Sequence, residues 1–195
     1  ILWILAAGLA AVPSLSAAET FPAPVTARGT PIIIEGRLLD RSGTPVSGGV
    51  VEIWQTDANG VYDHPGDSGT ANRDRGFQFF GSAPVDRDGS YAFRTILPGR
   101  YEPRPRHIHV KVRRNGRVLL VTQIYFAEDG DTQGVGGSTG NLRVGIESRR
   151  DADGNTVSCA VFDIVVDTGS GGNLPLTDSQ GEGPYYPRAN VLMFD

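Results

Sequence analysis

The segment Arg104-Pro-Arg-His-Ile-His-Val-Lys-Val112 predicts a β-strand with two different faces. Successive strand side chains point to opposite sides of a sheet, so His107 and His109 share one side. The apolar residues that alternate with them share the other side and can pack into a hydrophobic core. The strand would therefore bury one face and leave two imidazoles free to bind one metal ion on the other.

Turn-forming residues and short apolar runs extend this β pattern along the chain. The 195 residues allow one sizeable core, and they include 26 Gly and 13 Pro, which is too many for a mainly helical protein. Asp-led turns such as Asp57-Ala-Asn-Gly60 separate the β-branched and aromatic runs. We predict strands at residues 31–39, 49–55, 90–96, 107–113, 118–126 and 157–166. The expected fold is all-β, an antiparallel β-sandwich with long loops.

Two tyrosines lie where they could complete a metal site. Tyr62 follows a strand-like run and an Asp-led turn, and Tyr101 ends the turn Pro98-Gly-Arg-Tyr101. Two of the chain's three histidines lie in one segment, which argues against a solvent-facing pair without a metal. Imidazoles alone suit zinc, copper, nickel or iron, whereas two tyrosinate oxygens would favour ferric iron. The third histidine, His64, is interpreted as a surface or hydrogen-bonding residue.

Five segments between residues 31 and 126 share one pattern with a known enzyme family. They are Gly36-Arg-Leu-Leu-Asp-Arg-Ser-Gly-Thr-Pro-Val46, Val51-Glu-Ile-Trp-Gln-Thr-Asp-Ala-Asn-Gly-Val-Tyr62, Pro98-Gly-Arg-Tyr101, Arg104-Pro-Arg-His-Ile-His109 and Thr122-Gln-Ile-Tyr-Phe126. In the order and spacing of these segments the chain resembles the intradiol ring-cleavage dioxygenases, particularly those of the protocatechuate 3,4-dioxygenase type.

This resemblance implies a metal centre and a reaction. Tyr62, Tyr101, His107 and His109 would be the four protein ligands of a non-haem Fe(III) ion. The enzyme would use O2 to cleave catechol-type aromatic diols between the two hydroxylated carbons and would yield muconate-type diacids.

The resemblance also implies roles for three residues around the iron. The substrate would displace Tyr101, which would then accept a substrate proton. The guanidinium of Arg104 would stabilise carbanionic substrate, and Gln123 matches a glutamine near the iron in the family. The alternatives are a surface ion pair for Arg104 and a solvent-facing strand position for Gln123.

A further family motif stands after the predicted sandwich. Ser179-Gln-Gly-Glu-Gly-Pro-Tyr-Tyr-Pro187 resembles a segment that family members carry before their sandwich. By this resemblance Gly183, Pro184 and Tyr185 would line the substrate pocket. Residues 179–195 are therefore interpreted as the pocket-lining segment in a permuted position, which a circular permutation or an assembly from pieces would produce. The segment could reach the active site of its own chain or that of a neighbouring chain.

The rest of the chain is predicted to contain one catalytic unit between less regular segments. Residues 1–18 resemble the apolar and cleavage regions of a signal peptide, without a Met or a basic region before them, as in a truncated start. Residues 19–30 are interpreted as a linker, residues 31–167 as the catalytic sandwich and residues 168–178 as a flexible linker. The apolar run at the start is shorter than the roughly 20 residues that span a bilayer. We therefore expect export to the periplasm or the cell exterior and no stable membrane span.

The net charge of the chain and the habits of the family limit the partners that we expect. The net charge of −4 comes without a basic cluster, which argues against nucleic acid as a partner. The expected partners are a catechol-type substrate and O2, and the family's habit predicts a homo-oligomer. The particular catechol is left open, because Pro103 stands where some protocatechuate enzymes have a tryptophan.

Two other functions are compatible with parts of the sequence. Residues 36–46 also resemble the strand-turn-strand of carboxypeptidase-regulatory and prealbumin-like sandwiches, which would make the chain a secreted, non-catalytic binding module. A zinc or copper hydrolase-like site is the other alternative, and it would need a carboxylate or a water position instead of two tyrosinates. Tyr62 and Tyr101 discriminate between these functions and the dioxygenase.

Overall fold

The structure is a computed structural model that describes residues 27–130, 140–151 and 154–187. The strands of these residues form two β-sheets. The strands are β1 Pro31–Asp40, β2 Gly49–Trp54, β3 Phe80–Pro84, β4 Ser90–Ile96, β5 His107–Arg114, β6 Arg117–Phe126, β7 Arg143–Val144, β8 Glu147–Arg150, β9 Thr156–Val161 and β10 Ile164–Val166. Short 3-10 helices lie at Thr70–Asn72, Ala127–Asp129 and Gly140–Leu142. The all-β fold predicted from the sequence is confirmed.

The two sheets differ in how their strands pair. The second sheet has the order β3-β2-β5-β6-β7 and carries the histidine strand β5 at its centre. In the first sheet β1 pairs with β4, β9 and β10, and β8 pairs with β9. Both β9 and β10 run parallel to β1, and β7 runs parallel to β6. The sandwich is therefore mixed rather than wholly antiparallel, because strands that return by a crossover can lie beside β1 in the same direction.

The predicted strand at residues 157–166 is divided into β9 and β10. At the break, Phe162 donates its backbone N–H to Glu35 O (2.8 Å), and the backbone N–H of Arg37 donates to a side-chain oxygen of Asp163 (2.9 Å). A side chain thus replaces one backbone acceptor, and the ladder beside β1 is interrupted there.

The alternation in β5 separates the core from the functional face. Its apolar residues lie in one core cluster with Ile34 of the first sheet and Val51 of the second. His107 and His109 lie on the opposite face of the strand, yet they are only 3% and 2% exposed. Other described segments of the chain must therefore cover the outer face of the second sheet.

Residues 177–187, which we call the strap, form part of this cover. The backbone N–H of Thr177 donates to Val165 O in β10 (3.0 Å), and that of Gln180 donates to Val121 O in β6 (2.9 Å). The end of the predicted linker is thus hydrogen-bonded to the sandwich, and the chain passes from β10 across β6 to the outer face of the second sheet.

Some sequence predictions fall outside the described residues. The signal-like residues 1–18, most of the linker at residues 19–30 and residues 188–195 belong to this group. Within the described residues, no helix has the length and apolar character needed to cross a bilayer.

Candidate active site

Three of the predicted iron ligands converge on one point of the outer face. The hydroxyl oxygen of Tyr62 lies 3.2 Å from Nε2 of His107 and 3.1 Å from Nε2 of His109. All three side chains are buried. One phenol and two imidazoles thus place three electron-pair donors within reach of a single ion.

His107 is held in the tautomer that leaves Nε2 available as a ligand. Its Nδ1 lies 2.8 Å from the carbonyl oxygen of Pro105, and because a carbonyl can only accept, Nδ1 carries the proton. A hydrogen bond of this kind from the second ring nitrogen orients metal-binding histidines.

Burial keeps both imidazoles neutral. It lowers the pKa of His107 to about 4. The pKa of His109 lies well below its usual range, because of burial first and the neighbouring His107 second. At neutral pH both rings therefore carry the free electron pair that a metal requires.

Two carboxylates hold the loop that carries Tyr62. Asp67 accepts a hydrogen bond from the backbone N–H of Tyr62 (2.8 Å), and Asp57 accepts from those of Asn59 (2.8 Å) and Val61 (3.1 Å). An aspartate that bonds the backbone two residues ahead forms an Asx turn. The turn fixes the direction in which the Tyr62 phenol enters the site.

Tyr101, the fourth predicted ligand, lies beside Tyr62 and is hydrogen-bonded to the strap. The rings of Tyr62 and Tyr101 are 5.6 Å apart, and the hydroxyl oxygens of Tyr101 and Tyr185 are 2.5 Å apart. The hydrogen bond to Tyr101 and burial raise the pKa of Tyr185 to about 12. Tyr185 therefore keeps its proton at neutral pH and can donate it in a hydrogen bond to Tyr101.

Arg104 and Gln123, predicted near the metal, contact each other. One guanidinium nitrogen of Arg104 donates to the side-chain oxygen of Gln123 and to the hydroxyl of Tyr125 (2.8 Å for the latter). Tyr125 in turn donates to Gln123 (2.8 Å). Arg104 is thus oriented by two side chains of β6 rather than by a surface carboxylate, and Gln123 is buried rather than solvent-facing.

The strap reaches the site of its own chain. Gly183 adopts φ of +75°, a conformation that glycine tolerates, and a Cβ added there would lie 3.1 Å from Cε1 of His109. Pro184 follows and is exposed. Of the three predicted pocket residues, Gly183 and Tyr185 therefore lie against the predicted ligands.

Two aromatic residues of the site were not predicted from the sequence. Trp54 stacks on His109 with ring centroids 4.7 Å apart and an interplanar angle of 7°, and Tyr125 binds Arg104. Trp54 pairs with His109 across β2 and β5, and Tyr125 pairs with His107 across β5 and β6. The register of the strands is the signal that would have found both residues.

The donor set fits a ferric ion better than a zinc ion. Among the described residues, no group of three or more His, Cys, Asp or Glu side chains could hold a metal. Oxygen atoms of Tyr62 and Tyr101 would therefore have to complete a site on the two histidines, and such a set suits iron rather than zinc. His64 is buried and accepts a hydrogen bond from the backbone N–H of Gly66 (3.0 Å), so it is a hydrogen-bonding residue and not a surface residue.

Comparison with known proteins identifies the class of this protein. Residues 16–168 match the family model described as Dioxygenase. The protocatechuate 3,4-dioxygenase beta chain of Burkholderia cepacia is 40% identical over 109 residues, which cover 52% of this chain and 46% of that protein. A chlorocatechol 1,2-dioxygenase of a Pseudomonas species is 31% identical over 119 residues, which cover 52% of this chain and 45% of that protein. The chain belongs to the intradiol ring-cleavage dioxygenase family.

Solved structures share the fold. The dioxygenase domain of a dioxygenase carbohydrate-binding protein fusion from Streptomyces sp. SirexAA-E has a TM-score of 0.56 and 31% identity, over 73% of this chain and 83% of that chain. Hydroxyquinol 1,2-dioxygenase from Pseudomonas putida has a TM-score of 0.60 and 28% identity, over 73% of this chain and 58% of that chain. The chain spans about half the length of the curated relatives it matches. Family membership favours the dioxygenase over the binding module and the hydrolase.

Proposed function

We propose that the chain is a non-haem Fe(III) dioxygenase that cleaves catechol-type diols between the two hydroxylated carbons and yields muconate-type diacids. The convergence of the Tyr62 hydroxyl with both imidazole Nε2 atoms, beside Tyr101, carries this proposal. Similar proteins are named for protocatechuate, chlorocatechol and hydroxyquinol. We therefore propose a catechol ring as the substrate class and leave its substituents open.

Tyr62, Tyr101, His107 and His109 would hold the ion. A ferric ion held there would act as a Lewis acid toward an ionised catechol and withdraw charge from its ring. Burial raises the pKa of Tyr62 well above its usual range. Iron binding at Tyr62 would therefore release a proton and would weaken as the pH falls.

Tyr101 has a partner suited to proton handling. When the substrate takes its place, the Tyr101 oxygen can accept a proton from a catechol hydroxyl. The Tyr101 oxygen lies 2.5 Å from the hydroxyl of Tyr185, which retains its own proton because its pKa is about 12 and can therefore donate a hydrogen bond to Tyr101. The two phenols thus offer a place for one of the two protons that the catechol loses.

Arg104 supplies positive charge to the site. Its charge opposes the rise in the pKa of Tyr62 and lowers the pKa of both histidines further, so its field reaches all three side chains. The guanidinium is fixed in place by hydrogen bonds to Gln123 and Tyr125. A fixed cation of this kind would stabilise the negative charge that develops on the ring in the transition state.

Metal and product analysis test this function. We expect a single ferric iron per chain, a red to purple colour from tyrosinate-to-iron charge transfer, and muconate-type diacids that contain both atoms of labelled O2. A colourless protein with stoichiometric zinc after expression in ample iron would contradict the metal assignment. Semialdehyde products would mean that the ring is cut outside the diol.

We further infer export from the signal-like residues 1–18. Cell fractionation with N-terminal sequencing of the mature protein would test it. A full-length protein confined to the cytoplasm would contradict it.

A further inference from the structure

Lys111 is a buried lysine on the face of β5 that carries the two histidines. It follows His109 by two residues, so strand alternation places it on the same side of the sheet. Its side chain is only 4% exposed. A buried ammonium group requires partners, because removing an unpaired charge from water is strongly unfavourable.

The nearest partners of this ammonium group belong to the strap. Lys111 Nζ lies 2.5 Å from a carboxylate oxygen of Glu182 and 3.2 Å from the ring centroid of Tyr186. The first contact is an ion pair, and the second is a cation–π contact. The ring of Trp54, which stacks on His109, is farther away at 5.7 Å.

Tyr186 is also anchored at its hydroxyl group. The hydroxyl donates to a carboxylate oxygen of Glu52 (2.9 Å), and Arg113 forms an ion pair with the same carboxylate (3.2 Å). The rings of Tyr186 and Trp54 are nearly perpendicular, with centroids 5.0 Å apart. The strap is therefore fastened to the outer face of the second sheet at this position.

The two fastening points enclose the part of the strap that reaches the site. Glu182 immediately precedes Gly183, and Tyr186 immediately follows Tyr185. One lysine binds both ends of this short segment. Gly183 lies against His109, and Tyr185 is hydrogen-bonded to Tyr101.

We propose that Lys111 is a positioning residue that holds Gly183 and Tyr185 against the predicted ligands by clamping Glu182 and Tyr186. Lys111 acts through the strap, whose residues Gly183 and Tyr185 lie against the predicted ligands. Its effect on catalysis rests on the proposed function, whereas its effect on the strap does not.

The substitution Lys111→Met tests the clamp, because methionine keeps the apolar stem and removes the charge. Hydrogen exchange should become about tenfold faster in the strap and should stay unchanged in β5. A tenfold change is expected because an ion pair and a cation–π contact are lost together. In iron-loaded protein the Michaelis constant should rise, by at most the same factor of about ten, with kcat changed about twofold or less, because opening of the strap lowers the fraction of protein that is competent to bind the substrate. Arg149→Met is the matched control, because it removes an ion pair with Glu35 in the first sheet (2.6 Å).

A second variant covers the case in which Lys111→Met fails to fold. Glu182 has 44% of its side chain exposed, so Glu182→Gln leaves the core intact and should loosen the strap in the same direction by a smaller factor. Lys111→Arg retains the cation and should keep exchange in the strap slow.

Hydrogen exchange of the metal-free protein tests the clamp independently of the proposed dioxygenase function. If the parent protein turned over no catechol, the proposed function would fail, and hydrogen exchange of the strap would still test the clamp. Unchanged strap exchange in both Lys111→Met and Glu182→Gln would overturn the clamp. A loosened strap with an unchanged Michaelis constant in active protein would overturn the positioning role.

Discussion

Lowering the pH from 7 to 5 should destabilise the metal-free protein, and His107 alone should account for about 2 kcal/mol of this loss. The cause is the burial of its imidazole, which is 3% exposed and whose pKa is lowered from 6.5 to about 4. At pH 5 an unfolded chain binds a proton at this residue, whereas the folded protein excludes it.

Proton linkage determines whether the folded protein gains or loses stability as the pH falls. Because the unfolded state binds more protons between the two pKa values, stability rises with pH in that window and is lost as the pH falls from 6.5 toward 4. At still lower pH the contribution of His107 would reach its limit of about 3 kcal/mol. The pKa of His109 is lowered in the same direction, so the pair should reinforce the loss.

Urea unfolding of the metal-free protein at pH 7 and pH 5 measures this effect. His107→Gln removes one of the two buried imidazoles and should reduce the pH-dependent loss of unfolding free energy by about 2 kcal/mol. His64→Gln, which removes a histidine but leaves the pair intact, is the matched control and should retain the loss. If His107→Gln showed the same difference between pH 7 and pH 5 as the parent, the neutral buried imidazole would be the wrong description.

Three further predictions concern the metal, the charge and the strap. His109→Ala should abolish iron retention, whereas Tyr101→Phe should keep part of the iron and lose most turnover. Metal analysis and product assays check both variants. If both variants were fully active, the assignment of these residues as ligands would be wrong. Arg104→Leu should retain colour and slow ring cleavage by about 100-fold, measured in a single turnover, since a fixed cation is withdrawn from the transition state; an unchanged rate would contradict that role. Gly183→Ala should raise the Michaelis constant, because the added Cβ would press on His109. Gly116→Ala is the control, because Gly116 also has a positive φ but has open space around it, and this variant should cost only about 1 kcal/mol of stability. Equal Michaelis constants in the two variants would refute the contact.

The sequence predicted the elements whose residues follow a local pattern. The alternation in β5 requires only that one face be apolar, so it fixed the strand and placed His107 and His109 side by side. β3, β7 and β8 were missed, because Phe80–Pro84 is rich in small residues, Arg143–Val144 has only two residues and Glu147–Arg150 is polar throughout. Such segments become strands through pairing with a distant neighbour rather than through their own propensity.

The same distinction holds in the candidate site. The resemblance of short motifs to the family predicted that Tyr62 and the strap lie near the two histidines, but it did not show which contacts hold the strap in place. The contacts of Lys111 with Glu182 and Tyr186 join residues that are far apart in the chain and have no common motif. Only the register of the sheet places these side chains in contact.

The parallel pairing of β1 with the last two strands constrains how the protein can form during synthesis. Ile33 is paired with Cys159, and Leu38 with Ile164, so one edge of β1 has no partner until most of the chain has left the ribosome. At about 5–20 residues per second, this wait lasts on the order of ten seconds. The stretch Ile32-Ile-Ile34 is apolar and β-branched, the kind of edge that pairs with other chains and aggregates. Early pairing with β4, which covers residues from Pro31 to Arg37, protects one side of this stretch, and its other side stays open to aggregation until β9 emerges.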